Sequence, residues 1–230
     1  MSDVSATPSK SSLYLRKNME IIIAILLGLV SIATAYCSFQ GSLYGGSQTQ
    51  NYTNGTNFST EAESLYLEGN QKYVQDAQLY DRLTDLRLDI ANPDPAISAA
   101  AKIKFDTISF QSVSAEFATA IKWADAKNAA DPKTYTSPLD NDAYQTSLFG
   151  TYGEKKKEAV AKIADGDKDK GFGEELTLAT VIMAIALFLL GIGAVVSAFR
   201  IKIILGSVAV VIFLLAAVLA ATIPALWLVS

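Results

Sequence analysis

Histidine is absent from the 230 residues, and cysteine occurs once, as Cys37. The first absence removes the imidazole of hydrolase triads, proton relays and the commonest metal sites. The second removes any intramolecular disulfide. Charge is missing from long tracts as well: none lies between Glu20 and Glu61, and beyond Glu175 only Arg200 and Lys202 are ionisable. Ionisable groups gathered into blocks mark a membrane protein with a polar insert. Alternating apolar and polar runs bounded by hairpin glycines are also lacking. The expected fold class is therefore all-α: three transmembrane helices plus an extracytoplasmic up-and-down helical bundle.

What is present sets the topology. Three uncharged, mostly apolar stretches, 21–39, 176–199 and 203–229, reach the roughly 20 residues that a helix needs to cross the hydrocarbon core. Each must be a helix, because hydrocarbon leaves peptide groups no partners outside the segment. Lys10, Arg16 and Lys17 precede the first span, and Arg200 and Lys202 separate the second from the third. The positive-inside rule then predicts a cytoplasmic tail at 1–20 and a cytoplasmic turn at 200–202. It puts residues 40–175 and the C-terminus outside the cell membrane. Ala33-Thr34-Ala35 resembles a signal-peptidase site, but the apolar run before it exceeds an ordinary leader, so the first span is expected to stay as a signal anchor. Tyr36 before Cys37 fits a lipoprotein box poorly. Pro224 should weaken the last turns of the third span, and Trp227 suits an interfacial anchor.

The outer segment 61–175 carries 21 Asp and Glu against 14 Lys and Arg, a local net charge of −7 within a chain of net −4. Such acidity argues against nucleic acid as a partner. A polar collar at 40–60 holds three glycosylation sequons, with Asn51, Asn54 and Asn57 as acceptors. It reads as a flexible connection to a helix that starts after Thr60. That helix would present Tyr66, Tyr73, Ala77, Tyr80 and Leu83 on one face and end at Asn92-Pro93-Asp94-Pro95. A second helix is expected from 96 to 130 with a stripe of Ile103, Phe110, Val113, Phe117, Ile121 and Ala124. A third is expected from 141 to 164 with Tyr144, Leu148, Tyr152, Ala159 and Ile163. These stripes read as core.

The motifs that resemble chemical sites lack essential parts. Gly41 to Gly46 is glycine-rich but has no phosphate-binding Gly-Lys-Ser/Thr ending. Asp165 to Gly171 places carboxylates at the first, third and fifth positions of a calcium loop, but lysine stands where glycine is required, so it reads as a solvated linker. No catalytic, cofactor or metal residue is assigned, and no cofactor is expected. The spans hold no intramembrane charge, which removes the usual signs of coupled transport. They do hold small residues at helix-packing spacing: Ala24 with Gly28, Gly41 with Gly45, and Ala216, Ala217, Ala220 and Ala221.

Several short segments resemble a prokaryotic group of three-span membrane proteins. They are Tyr36-Cys37-Ser38-Phe39-Gln40, Leu43-Tyr44-Gly45-Gly46 and Gln48, then Ala120-Ile121-Lys122-Trp123, Ser137-Pro138 ahead of Tyr144, and Leu187-Phe188-Leu189-Leu190-Gly191-Ile192. The resemblance implies one span leading through a juxtamembrane helix into an extracytoplasmic helical domain, then two closing spans. It implies no activity. The expected function is a non-enzymatic, self-associating envelope scaffold or accessory subunit with the lipid bilayer, further copies or a membrane protein as partners. The alternative is an oligomeric cation channel with an acidic outer vestibule and a pore lined by Ser31, Thr34, Thr180, Ser197, Ser207 or Thr222. An extracytoplasmic enzyme is the weakest reading.

Overall fold

The computed structural model describes residues 10–226, with side chains from residue 18. The side chains of Lys10, Arg16 and Lys17, and Trp227, lie outside the described residues. Among those described, the regular structure is helical without strands: α1 (Lys10–Ile90), α2 (Pro95–Ser112), α3 (Ala115–Ala130), α4 (Asp142–Val195) and α5 (Phe199–Ala221), with a short 3-10 turn at Pro138–Asp140. Three apolar stretches, within Asn18–Ile90, Asp142–Val195 and Phe199–Ala221, are long and apolar enough to cross a membrane.

Local chemistry explains where the helices start and stop. The prolines after Ile90 end α1, and Asp94 caps α2 by accepting a hydrogen bond from the Ala96 N–H at 2.8 Å. Ser114 caps α3 through a 3.2 Å bond from the Phe117 N–H, and Asn141 opens α4 through a 3.0 Å bond from the Tyr144 N–H. The expected flexible collar at 40–60 is instead helical, as is the expected linker at 165–171. No helix starts after Thr60, which lies inside α1 with its hydroxyl donating to the Thr56 carbonyl at 3.1 Å. The turn expected at 200–202 falls earlier, at 196–198, so Arg200 and Lys202 belong to the first turn of α5.

The chain divides into two compact units, one of 1–52 with 163–230 and one of 53–162. In the first, buried positions recur every seven residues on each helix: Ile23, Val30, Cys37 and Tyr44 on α1; Leu176, Met183 and Leu190 on α4; Lys202, Ala209 and Ala216 on α5, continued by Ile223. A strict seven-residue period is the signature of left-handed helix packing. Ala179, Ala186, Ala209 and Ala216 are fully enclosed, which lets backbones approach closely. The opposite faces are apolar too, with Ile32 at 70%, Phe188 at 67% and Val218 at 67% exposure. Surfaces of that kind are stable against hydrocarbon rather than water.

Beyond α5 the backbone turns at Thr222 and is held by two polar groups of α1. Tyr44 donates its hydroxyl to the Pro224 carbonyl at 2.6 Å, and Gln40, itself buried, accepts the Leu226 N–H at 3.2 Å. These bonds satisfy backbone groups that have no ladder partner once the chain leaves α5.

In the 53–162 unit, Tyr80 and Leu83 of α1, Phe117, Ala120 and Ile121 of α3, and Tyr144 of α4 form the buried core, with Phe105 and Ile108 of α2 against it. The stripe expected through 96–130 is only half right. The backbone breaks at Val113, which re-phases the two parts, so Phe117 and Ile121 are buried while Ile103 and Phe110 are 68% and 90% exposed. Tyr66 is also exposed; its ring lies 5.4 Å from that of Tyr152 and 5.8 Å from that of Phe149. At Gly69, α1 and α4 come so close that a Cβ would stand 2.7 Å from the Leu148 carbonyl oxygen.

Within this core, Tyr144 donates its hydroxyl to Oδ2 of Asp76 at 2.7 Å, and both residues are buried. Burial, followed by the carboxylate contact, pushes the Tyr144 phenol well above its ordinary value, and burial pushes Tyr80 the same way. Above about pH 10 the unfolded chain releases these protons while the folded chain keeps them. Stability should therefore hold below that pH and fall above it, chiefly through Tyr144, by about 1.4 kcal/mol per pH unit for one retained proton. Thermal unfolding between pH 9 and 12 checks this, with Tyr144→Phe expected to flatten the slope.

Candidate functional site

The small residues singled out in the sequence serve different ends. Gly41 is used inside the chain, where a Cβ would lie 3.7 Å from Cβ of Leu176 and 3.9 Å from the Gly173 carbonyl oxygen. Ala216 is enclosed in the first unit's core, Ala217 and Ala220 are half-buried, and Ala221 is exposed. Ala24 and Gly28 are exposed one turn apart on α1, and a Cβ at Gly28 or Gly45 meets nothing within 4 Å. Of the two spacings on α1, only the Ala24–Gly28 pair therefore leaves both residues uncovered by the other described residues.

Just beyond Tyr44 a polar clasp joins α1 to α4. Oδ2 of Asp169 accepts bonds from the Ser47 hydroxyl at 2.7 Å and the Asn51 amide at 2.9 Å. The Tyr52 hydroxyl donates to Oδ1 of Asp167 at 2.6 Å, and its ring stacks over Gly166, where a Cβ would come within 2.7 Å. The run Asp165 to Gly171 is thus helical, with the Asp167 and Asp169 carboxylates engaged by α1 rather than turned toward a shared ion. Beside the clasp, a cavity of about 340 Å³ has walls of Tyr44, Phe172, Pro224 and Leu226.

The three sequon asparagines are all helical. Asn51 has its amide nitrogen on Asp169, Asn54 is half-buried and Asn57 is exposed. Lys202 is buried, with Nζ 3.4 Å from the more exposed Glu20 carboxylate, so its charge is neutralised inside the chain. Arg200 is exposed. The hydroxyls of Thr34, Thr180 and Thr222 donate to their own helices' carbonyls, whereas Ser31, Ser197 and Ser207 are exposed. Among the described residues, no group of three or more Asp, Glu or Cys is placed to hold a metal ion.

Sequence reasoning missed Gln40, Gly69, Asp76, Tyr144 as a hydrogen-bond donor, Asp169 and Gly173. The available signals were weak: a glutamine one turn before Tyr44, and Asp76 on the otherwise apolar side of α1.

No protein-family profile matches the chain, and no curated protein and no solved structure matches it. The class is set by the fold alone: an all-helical protein with three helices long and apolar enough to cross a membrane.

Proposed function

We propose that the chain is a non-enzymatic integral membrane protein, an envelope scaffold or accessory subunit that self-associates through its first span. In this reading residues 1–20 and 200–202 are cytoplasmic, and residues 61–175 form an acidic helical bundle displayed outside the cell. The observation that carries it is the uncovered Ala24–Gly28 pair, small residues at the spacing that lets helices of separate copies pack closely. Among the three sequons, the exposed Asn57 is the acceptor best placed to carry a glycan.

Gly28→Leu is the direct test. It adds a bulky side chain at the proposed crossing and touches nothing inside the chain, so the purified protein in nanodiscs should shift from oligomer to monomer. An unchanged mass overturns this interface. A ring that conducts cations in planar bilayers would replace the scaffold with the channel, its acidic domain concentrating cations at the mouth.

A further inference from the structure

We infer that the cleft between α1 and the α2–α3 junction binds an aliphatic amine cation of the polyamine class, a role independent of the self-association proposed above. The cleft has a volume of about 520 Å³ and lies wholly in the 53–162 unit. Its rim is exposed and polar, formed by Glu68, Gln71, Lys72 and Gln75 of α1 and by Gln111 and Ser112 at the end of α2. Its one buried charge is Asp76, at 5% exposure.

Asp76 gives the cleft its chemistry. Tyr144 occupies Oδ2, and among the described residues Oδ1 receives no hydrogen bond. Oδ1 is not sealed in the interior either, since among the described residues Gln40 Nε2 is the one enclosed side-chain N or O atom without a partner. The open oxygen is therefore reached from the cleft that Asp76 lines. A buried carboxylate with a single neutral donor is poorly compensated and favours a cationic donor. Lys72 does not supply it, because it is exposed and forms no ion pair within 4.0 Å with Asp76 or Glu68 among the described residues.

The surroundings select the type of cation. Glu68 lies two turns from Asp76 on the same helix, about 12 Å along the axis, too far for both carboxylates to coordinate one metal ion. A linear amine whose charged ends span a similar distance, such as extended spermidine, can reach both. Gln71, Gln75 and Gln111 offer amide carbonyls to its N–H groups. The α2 helix has no basic residue in its last turn, so its carbonyl end adds uncompensated negative potential. No aromatic ring lines the cleft, which disfavours a quaternary ammonium that depends on cation–π contact.

The test is calorimetric titration of spermidine into the full chain in nanodiscs at constant ionic strength, with magnesium as the charge control. Saturable binding of one amine per chain is expected. Glu68→Gln and Gln111→Leu, both on the exposed rim, should weaken it about tenfold, the loss of one good polar contact, without changing the melting temperature of the amine-free protein. Asp76→Asn should weaken it further. Binding that does not saturate, that magnesium reproduces, or that both rim variants leave unchanged would reduce the effect to screening of an acidic surface and overturn the proposal. The rim variants decide the matter even if Asp76→Asn fails to fold.

Discussion

Gly69→Leu is expected to lower the melting temperature of the 53–162 unit by about 4–24 °C. A Cβ at this position would stand 2.7 Å from the Leu148 carbonyl oxygen and 2.9 Å from the Phe149 ring. The nearer obstacle is backbone, so no rotamer change relieves it and the two helices must separate. Overpacking a tight interface costs about 1–3 kcal/mol and sometimes more, and a domain of this size loses about 4–8 °C per kcal/mol. Gly153→Ala provides the opposite control. A Cβ there meets nothing within 4 Å inside α4, so the variant should gain about 0.5–1 kcal/mol from helix propensity. Thermal unfolding of both variants separates close approach from helix propensity, and equal shifts of one sign would refute the account.

Tyr144→Phe should cost about 1–3 kcal/mol. The ring and its contact with Phe117, at 5.0 Å between centroids, are retained, but the buried Asp76 carboxylate loses its donor. A buried carboxyl group left without its donor carries most of that cost. Replacing both residues, as Asp76→Leu with Tyr144→Phe, removes the orphan together with its partner and should recover much of the loss. Denaturant unfolding of the two single variants and the double variant measures this coupling. Additive losses would mean that the 2.7 Å bond contributes little.

The tertiary structure assigns opposite fates to features that look alike in the sequence. Gly41 and Gly45 share one small-residue spacing, yet Gly41 packs against Gly173 and Leu176 while a Cβ at Gly45 meets nothing within 4 Å. Ser114 with Glu116 had the makings of a helix start. The apolar spacing from Phe110 through Val113 to Phe117 runs smoothly across the break, so periodicity hid the cap. The cleft was not legible at all, because Asp76, Gln111 and Tyr144 are separated by tens of residues and meet only through packing.

Amino-acid order by itself determined the all-helical class and the three apolar helices. The reason is local: about 20 successive residues without charge can satisfy their peptide groups in hydrocarbon only as a helix, and apolar spacings of three and four permit no strand. Tertiary structure decided how far each helix runs and which face it buries. Asn, Thr and Gly in the 40–60 stretch are poor helix formers, yet α1 continues through them. Up to Tyr52 it is supported by the Asp169 clasp and the Gly41–Gly173 approach, and further along by the Lys155 ammonium 4.8 Å above the Phe58 ring. Contacts between residues far apart in the chain outweigh a few tenths of a kcal/mol of propensity per residue, and no reading of neighbouring residues contains them.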